Sequence, residues 1–279
     1  MSAAAVRKKK KKTLAEKADK FVCYQKSVQC PEHEVEFFQQ AFKEAYRRKP
    51  QALREDFCGT FAICCDWVVA GEKRTAVGVD LCGETLRWGR DHNLSKLKPA
   101  EQSRVTILEQ DVRTASEQKF DVLAAQNFSF WIFKTRDAVR EYFEVAYSNL
   151  NDQGIMVMDM MGGGACYEEG NVDKRTIRKG KNGFDYHWKQ VSFNPVTADA
   201  TFAISFKFAD GSRLRNAFEY DWRFWTIPEV RELAAEAGFR ETHVYWEQED
   251  EDGEDTGEWK RDEVVSSNAS WIAYIVAVK

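Results

Sequence analysis

Two carboxylates and a tight turn occur at a spacing that suits a nucleotide ligand. Glu55 stands shortly before the turn Cys58-Gly59-Thr60, and Asp80 ends the strand-like segment 75–80 about one strand–helix unit later. An acid at such a strand end can accept hydrogen bonds from ribose hydroxyls, and a glycine turn lets a ligand approach the backbone closely. The pattern therefore predicts a nucleotide-binding first half.

Strands and helices alternate around these residues. Apolar runs predict strands at 51–56, 75–80, 105–110, 120–126 and 154–160, with helices at 61–70, 84–93 and 136–150. This alternation predicts an α/β protein with a mainly parallel sheet covered by helices on both faces. Ligands of such sheets bind beyond the carboxyl ends of the strands, where Glu55, Asp80, Asp111 and Asn127 stand.

The flanking segments predict additions to this sheet. Helical spacing at 14–25 and 32–48 predicts an N-terminal helical lid over 13–49. Alternating aromatic and polar residues at 183–193, 200–208 and 212–222 predict an antiparallel β-insertion over about 181–222, after the fifth strand. A helix at 228–237 and strands at 239–246 and 270–277 complete a catalytic domain expected to span 50–279.

Composition excludes several classes of protein. The formal net charge of −4 over 279 residues gives no global reason to expect a nucleic-acid partner. Seven cysteines without a CxxC pair argue for reduced thiols, and against a disulfide framework or a metal site. Because no apolar run reaches membrane-spanning length and no signal-peptide segment follows the basic start, we expect a soluble, cytoplasmic protein.

Two segments carry concentrated charge. Residues 1–20 hold eight basic and two acidic residues, and the run from Arg7 to Lys12 predicts a disordered tail over 1–12. This tail is either a solvated extension or a signal for nuclear import or RNA contact. Residues 247–258 contain eight acids in twelve positions and predict an exposed loop between two late strands.

The order of these landmarks resembles that of class I S-adenosylmethionine (SAM)-dependent methyltransferases. Glu55-x-x-Cys58-Gly59-Thr60 is similar to the family's glycine-rich loop, and the segments V-G-V-D at 77–80 and E-Q-D-V at 109–112 resemble its second and third strand ends. Residues 126–130, Q-N-F-S-F, resemble the N-S-F segment of glycine/sarcosine N-methyltransferase-like enzymes. They lack both prolines of the motif found in nucleic-acid amino-methyltransferases.

The resemblance implies a fold and an activity. The fold is a Rossmann-like, doubly wound and mainly parallel seven-stranded sheet. The activity is methyl transfer from SAM to a small molecule, an amine or amino-acid-like acceptor, with S-adenosyl-L-homocysteine (SAH) as the product.

The resemblance also implies cofactor-binding residues. Glu55 and Asp80 are expected to hold the amino-acid and ribose ends of SAM, while Asp111 and Val112 hold the adenine. The other expected cofactor contacts are Tyr24, Arg54, Cys58, Gly59, Thr60, Leu81 and Asn127. Phe57 and Phe61 occupy the positions of the family's first and third glycines, so Arg54 or Asp56 could supply contacts that the backbone normally makes.

The β-insertion supplies the expected acceptor site. Its aromatic side chains could hold a methylated ammonium by cation–π attraction or serve as ordinary sheet packing, and Arg223 could pair with a substrate carboxylate. His187 is the candidate general base, and Asn127 and Tyr186 are the other catalytic candidates. The expected substrate contacts are Phe130, Trp188, Tyr220, Trp222 and Arg223.

Two alternative functions keep the same fold. Recruitment of RNA or a protein substrate by the Lys8–Lys12 run would give binding a steep salt dependence. A non-catalytic protein that has lost SAM binding is the second alternative, and the two absent glycines motivate it. The methyl acceptor and the oligomeric state stay open.

Overall fold

The computed structural model describes residues 11–180, 183–250, 253 and 255–279, so most of the predicted basic tail lies outside the described residues. The helices are α1 Lys20–Val28, α2 Pro31–Tyr46, α3 Ala62–Val69, α4 Gly83–His92, α5 Pro99–Gln102, α6 Arg136–Asn149 and α7 Ile227–Glu236. The strands are β1 Ala52–Asp56, β2 Thr75–Asp80, β3 Val105–Glu109, β4 Phe120–Ala125, β5 Leu150–Gly162, β6 Val172–Ile177, β7 Phe184–Phe193, β8 Asp199–Phe208, β9 Arg213–Arg223, β10 Glu241–Glu249, β11 Asp255–Arg261 and β12 Trp271–Val278. None of the described helices combines the length and the apolar character needed to cross a lipid bilayer.

The central sheet has the strand order β11-β10-β12-β5-β4-β1-β2-β3 among the described residues. Strands β1 to β5 pair in parallel, whereas β12 runs antiparallel to both β5 and β10. Because β1 lies between β2 and β4, the chain winds outward from it in both directions and leaves a crevice at the carboxyl ends of these strands. The predicted doubly wound, mainly parallel sheet is confirmed.

Strand β11 is an addition at the edge of the sheet. The predicted loop at 247–258 is wrong at both ends, since β10 extends to Glu249 and β11 begins at Asp255. The physical reason is Trp259, which is buried and packs edge-on against Tyr274 of β12 with ring centroids 4.5 Å apart. Burial of one indole favours pairing of an otherwise charged segment with the sheet.

The predicted β-insertion forms a separate antiparallel sheet in the order β6-β7-β8-β9. Strand β6 was not predicted, because its charged and largely exposed residues show no apolar alternation. Apolar side chains of this sheet, including Tyr186 and Phe206, pack with Cys23 of α1. The insertion and the N-terminal segment therefore share a small core.

The N-terminal segment contains two helices, as expected, but the first begins later than predicted. Asp19 accepts hydrogen bonds from the backbone N–H groups of Phe21 and Val22, so it caps α1 at Lys20. Helix α2 buries its apolar face in the core, where Phe37 stacks on Tyr274 at 4.1 Å. Helix α2 therefore lies along a face of the central sheet, and its last residue, Tyr46, donates to the carbonyl oxygen of Gly154 near the start of β5.

Candidate active site

The loop after β1 has a left-handed backbone at every second residue. The φ angle is +55° at Phe57, +52° at Gly59 and +46° at Phe61. Glycine adopts this region without steric penalty, whereas a residue with a side chain is strained there. The loop therefore keeps the conformation that three glycines would favour, with phenylalanine at two of the positions.

The side chain of Phe61 explains how this strained loop is retained. Phe61 is fully buried, and its ring lies against α4 where that helix has Gly89. A Cβ atom at Gly89 would lie 2.5 Å from the Phe61 ring and 2.6 Å from the carbonyl oxygen of Thr60. The glycine in α4 thus makes room for the ring that replaces a glycine in the loop.

Asp80 joins the loop to the start of α4. One of its carboxylate oxygens accepts the N–H of Gly59 at 2.8 Å, and the other accepts the N–H of Cys82 at 2.8 Å. The backbone of β2 also approaches the loop closely, since a Cβ atom at Gly78 would lie 2.9 Å from the sulfur of Cys58. The acid at the end of β2 therefore lies beside the glycine turn, as predicted.

Glu55 lies under the same loop. Its carboxylate accepts the N–H of Cys64 at 3.0 Å in the first turn of α3, and its side chain is buried. Burial raises the pKa of Glu55 to about 8, the hydrogen bonds from Cys64 oppose this, and the nearby charges of Asp80 and Asp56 add to it. Glu55 therefore changes its charge close to neutral pH.

Two cavities open beside this loop. The first, which we call the loop pocket, has a volume of about 260 Å³. It is lined by Phe21, Tyr24, Gln29, Glu55, Asp56, Phe57, Cys58, Gly59, Thr60, Asp80, Cys82, Thr85, Gln126, Asn127, Ser129, Ile132, Phe218, Tyr220 and Trp222.

The second cavity, the acidic pocket, has a volume of about 480 Å³. It is lined by Tyr24, Val28, His33, Glu34, Asn127, Phe128, Asp159, Met161, Asp173, Arg175, Tyr186, Trp188, Ile204, Tyr220, Trp222, Glu247, Gly257, Trp259, Ser270, Ile272 and Tyr274. Tyr24, Asn127, Tyr220 and Trp222 line both cavities, so the two adjoin.

Asn127 lies at this boundary in a second strained turn. The φ angle is +58° at Asn127 and +57° at Phe128, directly after β4. Asp159 of β5 holds the turn, because its two carboxylate oxygens accept the N–H groups of these residues at 2.9 Å each. Burial raises the pKa of Asp159 to about 6, although both N–H groups favour its charged form. Strain retained in this way is typical of functional sites.

Glu34 of α2 enters the acidic pocket from the side opposite the insertion. Its Oε1 accepts the hydroxyl of Tyr274 at 2.9 Å. Its Oε2 is excluded from solvent and has no hydrogen-bond partner among the described residues. Burial raises the pKa of Glu34 to about 8, the charges of Asp159 and Glu55 add to this, and the Tyr274 hydroxyl opposes it.

The N-terminal segment covers the boundary between the two pockets. The Tyr24 ring packs on Phe218 with centroids 4.8 Å apart, and its hydroxyl is hydrogen-bonded to that of Tyr220. Gln25 donates from Nε2 to Thr60 Oγ1 at 2.9 Å. Tyr24 and Thr60 therefore lie where the sequence predicted them, beside the loop.

Several predicted cofactor contacts lie elsewhere. Arg54 is fully buried in central strand β1, where it donates to Asp56 at 2.6 Å and to the carbonyl of Val112 at 2.7 Å. It therefore lines neither pocket. Leu81 is 67% exposed and also lines neither pocket, because the chain turns outward after Asp80.

The predicted adenine contacts are likewise outside the loop pocket. The Asp111 carboxylate pairs with Arg113 at 2.7 Å, and the hydrogen bond from Arg113 lowers the pKa of Asp111. Val112 is buried, and its carbonyl is occupied by Arg54. Both residues follow β3 and do not line the loop pocket, but they lie near its wall, since the charge of Asp111 raises the pKa of Asp56 and Arg54 joins Asp56 to the Val112 carbonyl.

Three predicted acceptor-site residues are corrected by the structure. His187 lines neither pocket, because side chains alternate across β7 and its neighbours Tyr186 and Trp188 face the acidic pocket instead. Arg223 lies over the Trp225 ring at 3.9 Å and donates to the Lys134 carbonyl, which keeps it out of the cavity.

Phe130 is the third correction, since its ring is fully buried and packs on Phe143. Trp188, Tyr220 and Trp222 do line the acidic pocket.

The sequence reasoning missed one whole wall of the acidic pocket. Glu34, Trp259 and Tyr274 come from α2, β11 and β12, which are distant in the chain and carry no motif. A tryptophan next to the strongly acidic segment 247–258 was the available signal, because a large aromatic side chain is rarely left in a solvated loop.

Comparison with solved structures supports the identification of the fold. No family model matches this chain, and no curated protein sequence matches it. A SAM-dependent methyltransferase from Clostridium acetobutylicum aligns with a TM-score of 0.66 at 16% identity, covering 92% of this chain and 96% of that one. The chain has the class I methyltransferase fold.

Two other methyltransferase structures align similarly. SAM-bound CalS10, an amino pentose methyltransferase from Micromonospora echinaspora, gives a TM-score of 0.64 at 14% identity over 92% of this chain and 95% of that one. The sugar N-methyltransferase KedS8 from Streptoalloteichus gives 0.64 at 13% identity over 100% and 99%.

Proposed function

We propose that this protein is a SAM-dependent methyltransferase that methylates an amine on a small molecule. The observation that carries this proposal is the loop pocket at the carboxyl ends of β1, β2 and β4 in a class I methyltransferase fold. Its left-handed loop keeps a glycine-like path although Phe57 and Phe61 replace glycine. This observation argues against a protein that has lost its cofactor site.

The residues of the loop pocket fit SAM in their chemistry. Each carboxylate oxygen of Asp80 accepts one backbone N–H and keeps a second lone pair for a ribose hydroxyl. Gly59 has no side chain between the backbone and the pocket that it lines. Glu55 can accept a hydrogen bond from the amino group of the methionine portion. Tyr24, together with the helical segment 13–49 that carries it, would act as a lid. When bound, SAM supplies an electrophilic methyl group, and the protein supplies orientation.

The acceptor is placed in the acidic pocket, next to the shared residues Tyr24 and Asn127. The names of the aligned sugar N-methyltransferase and amino pentose methyltransferase support an amine. A glycine- or sarcosine-like acceptor would also need a cation for its carboxylate. Arg223 lies outside the pocket, and Arg175, which lines it, is already within 3.5 Å of Asp173. An amine without a carboxylate is therefore favoured.

One experiment tests the reaction class directly. The purified protein is incubated with radiolabelled SAM and a cell extract, and small molecules, RNA and protein are separated before counting. Label in the small-molecule fraction is the expected result and delivers the product for identification. Label in RNA or protein would instead show that the acceptor is a macromolecule, and absence of both transfer and SAH binding would refute the proposal.

A calorimetric experiment tests the loop pocket itself. We expect Asp80→Asn to weaken SAH binding by about tenfold or more, since a carboxylate accepts stronger hydrogen bonds than an amide. Asp91→Asn, in exposed α4, is the matched control and should leave affinity unchanged. Asp80 also supports the loop, so the loss of affinity could be indirect. An SAH analogue that lacks the ribose 2′-hydroxyl is therefore titrated into both proteins, which completes a thermodynamic cycle. Equal losses for both ligands would show that Asp80 does not contact the ribose 2′-hydroxyl.

A further inference from the structure

We propose that the acidic pocket is a binding site for an organic ammonium ion, with Glu34 as its principal counter-charge. This inference rests on the proposed function, because it defines the acceptor as an amine that enters as an ammonium ion, gives one proton to the Glu34 carboxylate and is then methylated as the neutral amine. It excludes neutral hydroxyl compounds and acidic small molecules as preferred occupants.

The charge of the pocket wall supports a cation. Carboxylates from four separate elements line it, namely Glu34, Asp159, Asp173 and Glu247, against the single guanidinium of Arg175 among the described residues. Arg175 lies 3.5 Å from Asp173, so that carboxylate and that cation offset each other. Among the described residues, no basic side chain of the lining pairs with Glu34 or Asp159, and a cationic ligand would relieve the repulsion between these two carboxylates.

Glu34 is the carboxylate best placed to pair with a ligand. Each oxygen of Asp159 already accepts one backbone N–H from the turn at Asn127 and Phe128, so its charge is partly balanced. Glu34 uses only Oε1, on Tyr274, and its solvent-excluded Oε2 has no partner among the described residues. A buried oxygen in this state is unfavourable unless something supplies a donor or balances its charge. An ammonium N–H would donate to it, and a quaternary ammonium would balance the charge without donating a hydrogen bond.

The aromatic walls supply the second element of cation recognition. Trp188, Tyr220 and Trp222 form one contiguous group, with ring centroids 5.6 Å apart for Trp188 and Tyr220 and 4.5 Å apart for Tyr220 and Trp222. Trp259 and Tyr274 lie on the side of Glu34. Aromatic rings and a carboxylate that line one cavity are the combination that recognises substituted ammonium groups.

Choline and its uncharged isostere 3,3-dimethylbutan-1-ol form a matched pair of probes. Each is titrated into the full-length protein while tryptophan fluorescence is followed, because Trp188, Trp222 and Trp259 line the pocket. We expect choline to bind at least about tenfold more tightly than the alcohol. Equal affinity of the two probes, or no binding of choline, would overturn the inference.

The variant Glu34→Gln tests the named carboxylate. Glutamine keeps the size of the side chain and the acceptor for Tyr274, and it removes the charge. At about pH 9, where the Glu34 carboxylate of the unmodified protein is charged, choline affinity should fall by about tenfold, and the preference over the alcohol should largely disappear. Glu36→Gln, an exposed position of the same helix, is the control and should behave like the unmodified protein. If both variants bind choline normally, Glu34 is not the counter-charge.

The pH dependence of choline binding gives an independent readout. Glu34 is protonated below its raised pKa of about 8, so choline affinity should rise between about pH 7 and about pH 9. Around it lie His33, Asp159, Asp173, Arg175, Glu247, Tyr274 and Glu55. Burial lowers the pKa of His33, and the pKa of Asp159 is about 6, so both have titrated below this range.

Glu55 is the neighbour that also titrates near pH 8. The rise in choline affinity should therefore shrink in Glu34→Gln, and an unchanged rise would assign it to Glu55 and count against the inference. SAH calorimetry separates this result from the proposed function. Choline binding without SAH binding refutes methyl transfer alone, and SAH binding without a choline preference refutes the ammonium site alone.

Discussion

The substitution Phe61→Gly separates strain from packing in the loop after β1. Glycine would relieve the left-handed backbone at φ +46°, a gain of about 1–2 kcal/mol. Removal of a fully buried phenylalanine ring costs about 3–5 kcal/mol, and the added freedom of glycine in the unfolded chain costs about 0.5–1 kcal/mol more. We therefore expect a net loss of about 1.5–5 kcal/mol in the free energy of unfolding.

Urea denaturation followed by circular dichroism measures this change. The midpoint should move to lower urea while the m-value stays the same. Phe57→Gly is the matched control, because Phe57 has a similar φ of +55° but is only partly buried. Its stability should change by less than about 1 kcal/mol, since relief of strain and loss of packing nearly cancel. A Phe61→Gly protein as stable as the unmodified one would refute the argument that packing retains the strained loop.

A double-mutant cycle with Gly89→Ala adds a test of the contact itself. In the unmodified protein, the new methyl group would collide with both the Phe61 ring and the Thr60 carbonyl oxygen. In Phe61→Gly, only the carbonyl contact remains, so the double variant should be more stable than the sum of the single effects predicts. Strict additivity would show that the ring and the helix do not share this space.

Three further results are expected. Asp159→Asn should reduce the free energy of unfolding, measured by urea denaturation, by about 1–3 kcal/mol. The reason is that an amide has one acceptor oxygen for the two backbone N–H groups that Asp159 binds. No loss would refute the role of Asp159 in holding the turn. Gln25→Ala removes one neutral hydrogen bond to Thr60. It should weaken SAH binding in calorimetry by less than about tenfold and lower the free energy of unfolding by at most about 1.5 kcal/mol. A larger loss in the free energy of unfolding would contradict a purely local role. The pKa of Glu34 and of Glu55 is raised to about 8, so these groups bind more protons in the folded protein than in the unfolded chain between about pH 5 and about pH 8. Thermal stability should therefore fall as pH rises through this range. A rise in thermal stability there would refute the raised pKa values.

The sequence by itself determined the central sheet. Local apolar periodicity located β1 to β5 and the helices between them, because each element is coded by residues close together in the chain. The same reasoning placed Glu55, Gly59 and Asp80 together, since the carboxyl ends of neighbouring parallel strands meet at one edge. The insertion also followed from alternation, except for the charged strand β6.

Tertiary structure alone decided which side chains face the pockets. Alternation indicates that Tyr186 and His187 point to opposite faces of β7, but only docking of α1 and β12 shows which face is enclosed. Glu34 and Trp259 join one cavity through contacts between segments far apart in sequence, for which no local pattern exists. The fit between the Phe61 ring and Gly89 was also decided by tertiary structure. The space for this ring is formed by the loop and by α4 together, so neither local sequence indicates it.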